Sequence, residues 1–237
     1  MRAIFKRELR AYFATPIVYV FGALFLLLSN LMFFLGNVLN RMTDLNSLFF
    51  IMQVLLMLTV PILTMRLLSE EFKQRTDQLL LTAPIRPIDI TLGKFFAAFA
   101  IVIAVLACTL VFPLVTAIFG SPNWAAVWGN YVALLCAAAS FIAIGLFISA
   151  LTESQILSLL GTMGLFILLG LLYLLIYIFV PQSTAWLHNF VEWFSPFTRY
   201  GSFTGGIFPL NDLLFYITLT ALFLFLSSRI LEKKRWA

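Results

Sequence analysis

The chain has 237 residues, of which 62% are hydrophobic and only 11% are charged, and its mean hydropathy is +1.04. This composition excludes an ordinary soluble globular protein and predicts an all-α membrane protein that crosses the bilayer several times. A net charge of +5 would suggest nucleic-acid binding in a soluble chain. In a membrane protein, basic residues that anchor cytoplasmic loops explain it, so we expect no nucleic-acid partner.

A basic amphipathic helix is predicted at the N-terminus, within residues 1–14. Its basic residues Arg2, Lys6 and Arg10 recur every four residues. The complementary apolar stripe consists of Phe5, Leu9, Tyr12 and Phe13. We expect this helix to lie in the lipid headgroup layer. No small-residue cleavage site closely follows the first apolar run, which is therefore read as a retained span rather than a signal peptide.

Six stretches are apolar enough to cross a bilayer, which requires about 20 residues each. They are 17–39, 47–67, 90–119, 125–150, 156–180 and 211–230. Pro61 and Pro113 predict kinks in the second and third spans. The chain is thus predicted to form a single transmembrane domain over residues 1–237.

The basic residues indicate the orientation of these spans. If both termini are cytoplasmic, 13 of the 15 Lys and Arg residues fall in cytoplasmic segments, and only Arg41 and Arg199 fall outside. Such a bias is typical of membrane proteins, whose cytoplasmic loops are enriched in Lys and Arg. We therefore expect a multi-pass protein with both termini in the cytoplasm.

The spans carry no Asp, Glu, Lys or Arg near their middles. Proton pumps and ion-coupled carriers usually keep ionisable groups at that depth, so these classes are disfavoured. The weakly polar Asn30, Gln53 and Thr59 are candidates for a transport pathway or a dimer interface. Plain helix packing is the alternative explanation for the small and weakly polar residues of the spans.

Metal binding and catalysis find little support in the sequence. Cys108 and Cys136 lie in apolar runs without His or carboxylate neighbours, and His188 is the one histidine of the chain. An intramembrane enzyme would need a Ser/His, paired Asp or HExxH arrangement at depth. The chain also lacks the GxxxxGK[ST] phosphate-binding loop, so we expect it neither to bind a metal nor to hydrolyse ATP.

Segment 69–84 is the long polar connection between the second and third spans. Ser69 is the predicted N-cap of a short helix, with Glu70 and Glu71 in the first turn, where the helix dipole favours negative charge. Pro84 is expected to end the helix. Phe72, Thr76, Leu79 and Leu80 form an apolar stripe beside a polar and charged rim of Lys73, Gln74, Arg75 and Asp77.

The order of residues here resembles the EE…GT…LL…P…GK signature of ABC-2 type transporter permeases. The matching residues are Glu70, Glu71, Thr76, Leu79, Leu80, Pro84, Gly93 and Lys94, and Arg75 departs by standing where the family usually has Gly. The N-terminal helix, the six spans and segment 181–210 are similar to the family's connecting helix, spans and extracellular hairpin. Within the family, the chain most resembles permeases associated with gliding motility and with nitrous-oxide-reductase maturation.

This resemblance implies the transmembrane subunit of an ATP-driven exporter in a bacterial inner membrane. Two copies of a separate cytoplasmic ATPase would hold ATP and Mg, and this chain would bind no cofactor itself. The ATPases would dock on a coupling helix within 69–84, and a second permease copy, forming a homodimer, would complete the pathway. The implied coupling residues are Glu70, Glu71, Phe72, Arg75, Thr76, Leu79, Leu80 and Pro84.

Segment 181–210 is too aromatic for a solvated loop and contains too many helix breakers for a span. Trp193 is among its aromatic residues, and Pro196, Gly205 and Gly206 are among its breakers. A re-entrant hairpin in the outer leaflet fits this pattern, with interfacial anchoring by Trp and Tyr as the alternative. Two other functions remain open. The chain could transmit force to a periplasmic, surface or membrane accessory protein, or it could be a haem-exporter-type permease.

Overall fold

The computed structural model describes residues 1–74, 86–179, 199–201, 203 and 209–236. In these ranges the regular secondary structure is entirely helical, as predicted. The helices are α1 (Arg2–Phe13), α2 (Pro16–Phe33) with a π-helix after it (Phe34–Val38), α3 (Asn46–Thr64), α4 (Ser69–Gln74), α5 (Pro87–Cys108), α6 (Val111–Phe119), α7 (Trp124–Leu151), α8 (Gln155–Phe179) and α9 (Leu210–Trp236).

Six helical stretches are long and apolar enough to cross a membrane, which confirms the predicted number of spans. They are Pro16–Val38, Asn46–Lys73, Pro87–Ile118, Trp124–Leu151, Gln155–Leu172 and Leu210–Lys234. Their bounds agree with the predicted ones to within a few residues, apart from the second, since the helix of the fifth span runs to Phe179. The second is longer because a short turn after Thr64 leads directly into α4.

Helix α7 is the centre of the bundle and packs against α3, α5, α8 and α9. Small side chains allow this, since Ala133, Ala137 and Ala143 of α7 are completely buried. At Gly145, an added Cβ would lie 2.2 Å from Thr64 Oγ1. Helices α3 and α7 therefore approach each other more closely than any larger residue would permit.

The outer helices leave most of their surface uncovered. In the spanning windows of α3 and α7, 67% of residues are buried within the protein, compared with 17% in those of α8 and α9. The exposed side chains of α8 are large and apolar, among them Ile156 and Leu160. These faces suit contact with lipid tails or with another membrane protein.

The third span is divided between Cys108 and Val111 into α5 and α6. Pro113 has no N–H and so cannot donate a helical hydrogen bond to the carbonyl of Thr109. That carbonyl instead accepts from the Phe112 N–H at 3.0 Å, in a tighter turn. By contrast, α3 remains helical through Pro61. The interruption just before Pro113 agrees with the kink predicted in the third span, whereas the kink predicted at Pro61 is accompanied by no interruption of α3.

Helix α1 confirms the predicted N-terminal helix but differs from the prediction in its contacts. Its buried apolar residues are Ile4 and Tyr12, whereas Phe13 of the predicted stripe is 52% exposed. The Tyr12 hydroxyl donates to the Leu63 carbonyl at 2.9 Å. Helix α1 packs mainly against α5, so contacts within the protein hold it in place.

Candidate functional site

Four charged residues from three helices form a compact network, here called the charge cluster. It contains Arg7 and Glu8 of α1, Glu71 of α4 and Lys94 of α5. Glu71 Oε1 lies 2.6 Å from Arg7 Nη2 and 3.0 Å from Lys94 Nζ. Glu8 Oε1 lies 2.7 Å from Arg7 Nη2 and 3.2 Å from Lys94 Nζ. Each cation therefore contacts both carboxylates.

The buried charges of this cluster need one another as partners. The side chain of Lys94 is only 1% exposed, and those of Glu8 and Glu71 are 13% and 16% exposed. A buried ammonium is strongly unfavourable unless it is paired, and here two carboxylates share the task. The charges of the four residues sum to zero, which is what a poorly solvated site requires.

The pKa of the Glu8 carboxyl reflects these surroundings. Burial by itself would raise this pKa, but the neighbouring charges of Lys94 and Arg7 outweigh burial and hold the pKa below its ordinary value. The pKa of the Arg7 guanidinium is raised, because its pairing with Glu8 and Glu71 outweighs the opposing effect of burial. Both shifts favour the charged forms of Glu8 and Arg7.

The close packing of α1 against α5 explains why the residue before Lys94 is a glycine. A Cβ at this position would lie 2.9 Å from Cγ2 and 3.1 Å from Cβ of Ile4. The missing side chain lets α1 approach α5 closely enough for Glu8 to reach Lys94. The Gly-Lys pair that contributes to the sequence resemblance therefore has a structural role at the contact between α1 and α5.

A second ion pair lies at the end of the second span, where its arginine also contacts α1 and the residue that precedes α2. Arg66 Nε lies 3.0 Å from Glu70 Oε2, and the Arg66 guanidinium also donates to Thr15 Oγ1. The same guanidinium lies 5.3 Å from the ring centroid of Tyr12, a cation–π distance. Both predicted acidic coupling residues, Glu70 and Glu71, are thus engaged within the chain.

The start of α4 is capped by a residue from another helix. The N–H groups of Leu68 and Ser69 both donate to Ser149 Oγ of α7, each at 3.0 Å. The Ser69 hydroxyl instead donates back to the carbonyl of Met65. The prediction that Ser69 caps this helix with its own side chain is wrong, because a buried serine 80 residues away supplies the acceptor.

Phe72 is the last predicted coupling residue that the structure describes. It is 7% exposed, and the ammonium nitrogen of Lys234 in α9 lies 3.5 Å from its ring centroid. The aromatic ring is therefore held against the bundle and α9. The other predicted coupling residues, Arg75, Thr76, Leu79, Leu80 and Pro84, lie outside the described residues, as do Trp193, Pro196, Gly205 and Gly206.

The structure separates the three candidates for a pathway or dimer interface. Gln53 and Thr59 are completely buried in α3, and the Thr59 hydroxyl donates to the Leu55 carbonyl at 2.7 Å. Asn30 is exposed on α2, where its amide donates to the Leu26 carbonyl at 2.9 Å. Of these three candidates, Asn30 alone presents a polar group on the outer surface of the bundle.

Sequence reasoning did not single out Arg7, Glu8 or Ser149, and it counted Lys94 only as a basic residue and a signature position. One signal for the cluster was present, since Glu8 is the only acidic residue before Asp44. A single acid within a basic helix suggests a specific cationic partner. Ser149 belongs to a row of small residues at four-residue spacing in the fourth span, a pattern that indicates close helix packing but not a capping role.

Comparison with known families gives one match, and comparison with curated proteins gives none. A family model described as "ABC-2 family transporter protein" matches residues 2–236, nearly the whole chain. No curated protein matches the chain significantly. The family match, the six spans and the position of the Glu70–Glu71 pair at the start of the polar connection agree with one another. The chain belongs to the ABC-2 family of transporter proteins and is the membrane-embedded permease subunit of an ABC transporter.

Proposed function

We propose that this permease belongs to an ATP-driven exporter and that a separate cytoplasmic ATPase acts on it through segment 69–84. The observation that supports this most directly is the position of Glu71. Its carboxylate contacts Arg7 of α1 and Lys94 of α5 at the point where the polar segment begins. A load applied to this segment therefore reaches the N-terminal helix and the third span together.

Two further contacts make the start of α4 a firm attachment. Ser149 holds the first N–H groups of α4 against α7, and Glu70 is paired with Arg66 at the end of the second span. Removing one member of a buried ion pair typically costs about 3–5 kcal/mol. Because separation of the cluster would leave Lys94 buried without its partners, the attached helices should move as a unit when the ATPases close.

The polar residues of the spans indicate the expected assembly and the class of substrate. Two permease copies would enclose the pathway, and the exposed amide of Asn30 suits an interface between copies, where it could pair across helices. Apart from Lys94 near the start of α5, the described spans place no charged side chain among their buried residues. An amphiphilic, lipid-linked or hydrophobic substrate fits such a pathway better than a small ion.

Lys94→Met provides the test of the coupling role. Arg7 can still pair with both Glu8 and Glu71, and the one negative charge left over lies on carboxylates that are 13% and 16% exposed. The protein should therefore fold, but the link to α5 is lost. Purified with its ATPase in native lipid, the variant should retain the ATPase while the permease-dependent change in ATP hydrolysis falls about tenfold, the effect of about 1.4 kcal/mol of lost coupling.

Arg229→Gln is the matched control, because Arg229 and Glu232 form an exposed ion pair on α9. Unchanged hydrolysis in both variants would contradict the coupling role of the charge cluster. Failure of any Walker-motif ATPase to co-purify with the unaltered chain would contradict the proposed function itself. Stimulation of hydrolysis by a surface protein rather than by an amphiphile would favour force transmission over export.

A further inference from the structure

A polar pocket of about 210 Å³ lies at the end of the bundle opposite the charge cluster. It is formed between the connection that joins the first two spans and the beginning of α7. Its polar lining residues are Thr43, Asp44, Asn46, Ser121, Asn123 and Asn130. We call it the amide pocket, because three of these six residues are asparagines.

Asn130 contributes a hydrogen-bond acceptor that lacks a donor. This side chain is completely buried, and its amide nitrogen donates to Asn46 Oδ1 at 3.1 Å and to the Ala126 carbonyl at 2.8 Å. Both N–H groups are thus used, which identifies the remaining atom as the oxygen. No donor in the described part of the chain reaches Asn130 Oδ1. A buried acceptor left in this state is costly, so a donor from outside the chain is expected.

The other polar groups of the pocket show what kind of donor fits. Asp44 is its only charged lining residue among those described, and one carboxylate oxygen accepts from the Asn46 N–H at 3.1 Å. Asn123 Oδ1 accepts from the Ala126 N–H at 3.3 Å. Asn46 Oδ1 and Asn123 Oδ1 thus already accept hydrogen bonds within the chain. Asn130 Oδ1 and the Asp44 carboxylate are the acceptors left for a ligand, and with one negative charge they favour a cation with several N–H groups.

A primary ammonium meets this requirement better than the obvious competitors. A single water molecule would occupy only a small part of 210 Å³. A quaternary ammonium has no N–H to donate and is usually held by several aromatic faces. Phe49 is the one aromatic ring among the described lining residues. Hard metal ions usually require more carboxylates than the single Asp44.

The surroundings of the pocket point to the lipid headgroup layer. Trp124 and Trp128 of α7 are 44% and 55% exposed near this end of the helix, and exposed Trp residues mark the membrane interface. Arg41 lies three residues before Asp44 in the same connection and lines a second pocket of about 350 Å³ with Phe33, Asn37 and Thr116. An anionic group joined to the ammonium would thus find a cation nearby.

We propose that the amide pocket binds the primary ammonium of an ethanolamine headgroup, with Asn130 Oδ1 and the Asp44 carboxylate as acceptors. Arg41 then faces the phosphate of the same headgroup. This inference does not depend on the export mechanism, because it concerns the end of the bundle away from the charge cluster. It assigns a lipid-recognition site to the connection between the first two spans.

Native mass spectrometry of the full chain in mild detergent tests this proposal. Phosphatidylethanolamine, phosphatidylcholine and phosphatidylglycerol with identical acyl chains serve as probes. Phosphatidylethanolamine should bind about tenfold more tightly than phosphatidylcholine, since hydrogen bonds to a charged donor are among the stronger ones. Glycerophosphoethanolamine and calcium chloride, each added alone, distinguish a soluble amine and a metal ion from a lipid.

Asp44→Asn is the main variant, because it removes the charge but keeps the oxygen that accepts from the Asn46 N–H. It should reduce the ethanolamine preference about fivefold, and Asn130→Ala should abolish it. Arg41→Gln is the matched control: it changes one charge in the same connection, and it should weaken all three phospholipids equally without altering the preference.

Binding of glycerophosphoethanolamine with the same sensitivity to Asp44→Asn would support the ammonium site and identify a soluble amine as a sufficient ligand. Equal binding of the three lipids, calcium binding that depends on Asp44, or no binding of any probe would each overturn the proposal. An unchanged preference in correctly folded Asp44→Asn protein would do the same.

Discussion

The two ends of the helical bundle handle polar groups in opposite ways. At the end near α1, two acids and two bases from three helices neutralise one another, and Lys94 is almost completely inaccessible. At the other end, Asp44 and Arg41 are exposed and form no ion pair with the described residues, while Asn130 keeps a buried oxygen without a donor. The charges of the first end are balanced within the chain, as the proposed coupling role requires. The second end leaves an acceptor unused, and we propose that a ligand from outside the chain fills this need.

Glu71→Lys should produce the largest effect, because it leaves the charge cluster with three cations and one carboxylate. Lys94 and Arg7 would then face a third cation, and loss of a buried partner costs about 3–5 kcal/mol. Thermal unfolding in mild detergent should show a large drop in the melting temperature or the loss of folded protein. Glu232→Lys on exposed α9 should change stability by less than about 0.5 kcal/mol. Equal effects of the two variants would mean that the charge cluster is not a closed network.

Comparing Gly93→Ala with Gly36→Ala tests whether α1 is closely packed at the end of the bundle that holds the charge cluster. The new Cβ at Gly93 would collide with Ile4 and push α1 away from α5, whereas no atom lies within 4 Å of a Cβ at Gly36. Overpacking of this kind costs about 1–3 kcal/mol. At Gly36, alanine should be neutral or slightly stabilising, since glycine is a poor helix former. Denaturant titration of the two proteins measures the difference, and a stable Gly93→Ala variant would argue against close packing of α1.

Ser149→Ala should have the smallest of these effects. It removes the acceptor of the Leu68 and Ser69 N–H groups, and loss of a helix cap costs about 1 kcal/mol. Hydrogen exchange should increase at these two amides first, because the beginning of α4 loosens. Ser228→Ala is the control, since its hydroxyl only donates to the Phe225 carbonyl within its own helix. Similar exchange at Leu68 and Ser69 in both variants would mean that Ser149 does not stabilise the beginning of α4.

The spans were predictable because membrane insertion imposes a strong and local requirement. About 20 apolar residues must follow one another, and this is visible without any knowledge of partners. The polar segment, its acidic pair and the helix at residues 1–14 were predictable for the same reason, as each depends on residues close in sequence. The roles of Glu70 and Glu71 in docking an ATPase stay predictions, and the structure adds that both carboxylates have partners within the chain.

The sequence by itself determined that the chain is a six-span helical membrane protein with a charged segment after its second span. Only the tertiary structure decided that Glu8 and Lys94, 86 residues apart, form an ion pair and that Ser149 caps α4 from 80 residues away. It also decided that Asn130 would be left with an unused acceptor. Hydropathy depends on neighbours along the chain, whereas buried polar groups are satisfied by whichever residues the packing of helices brings within about 3 Å.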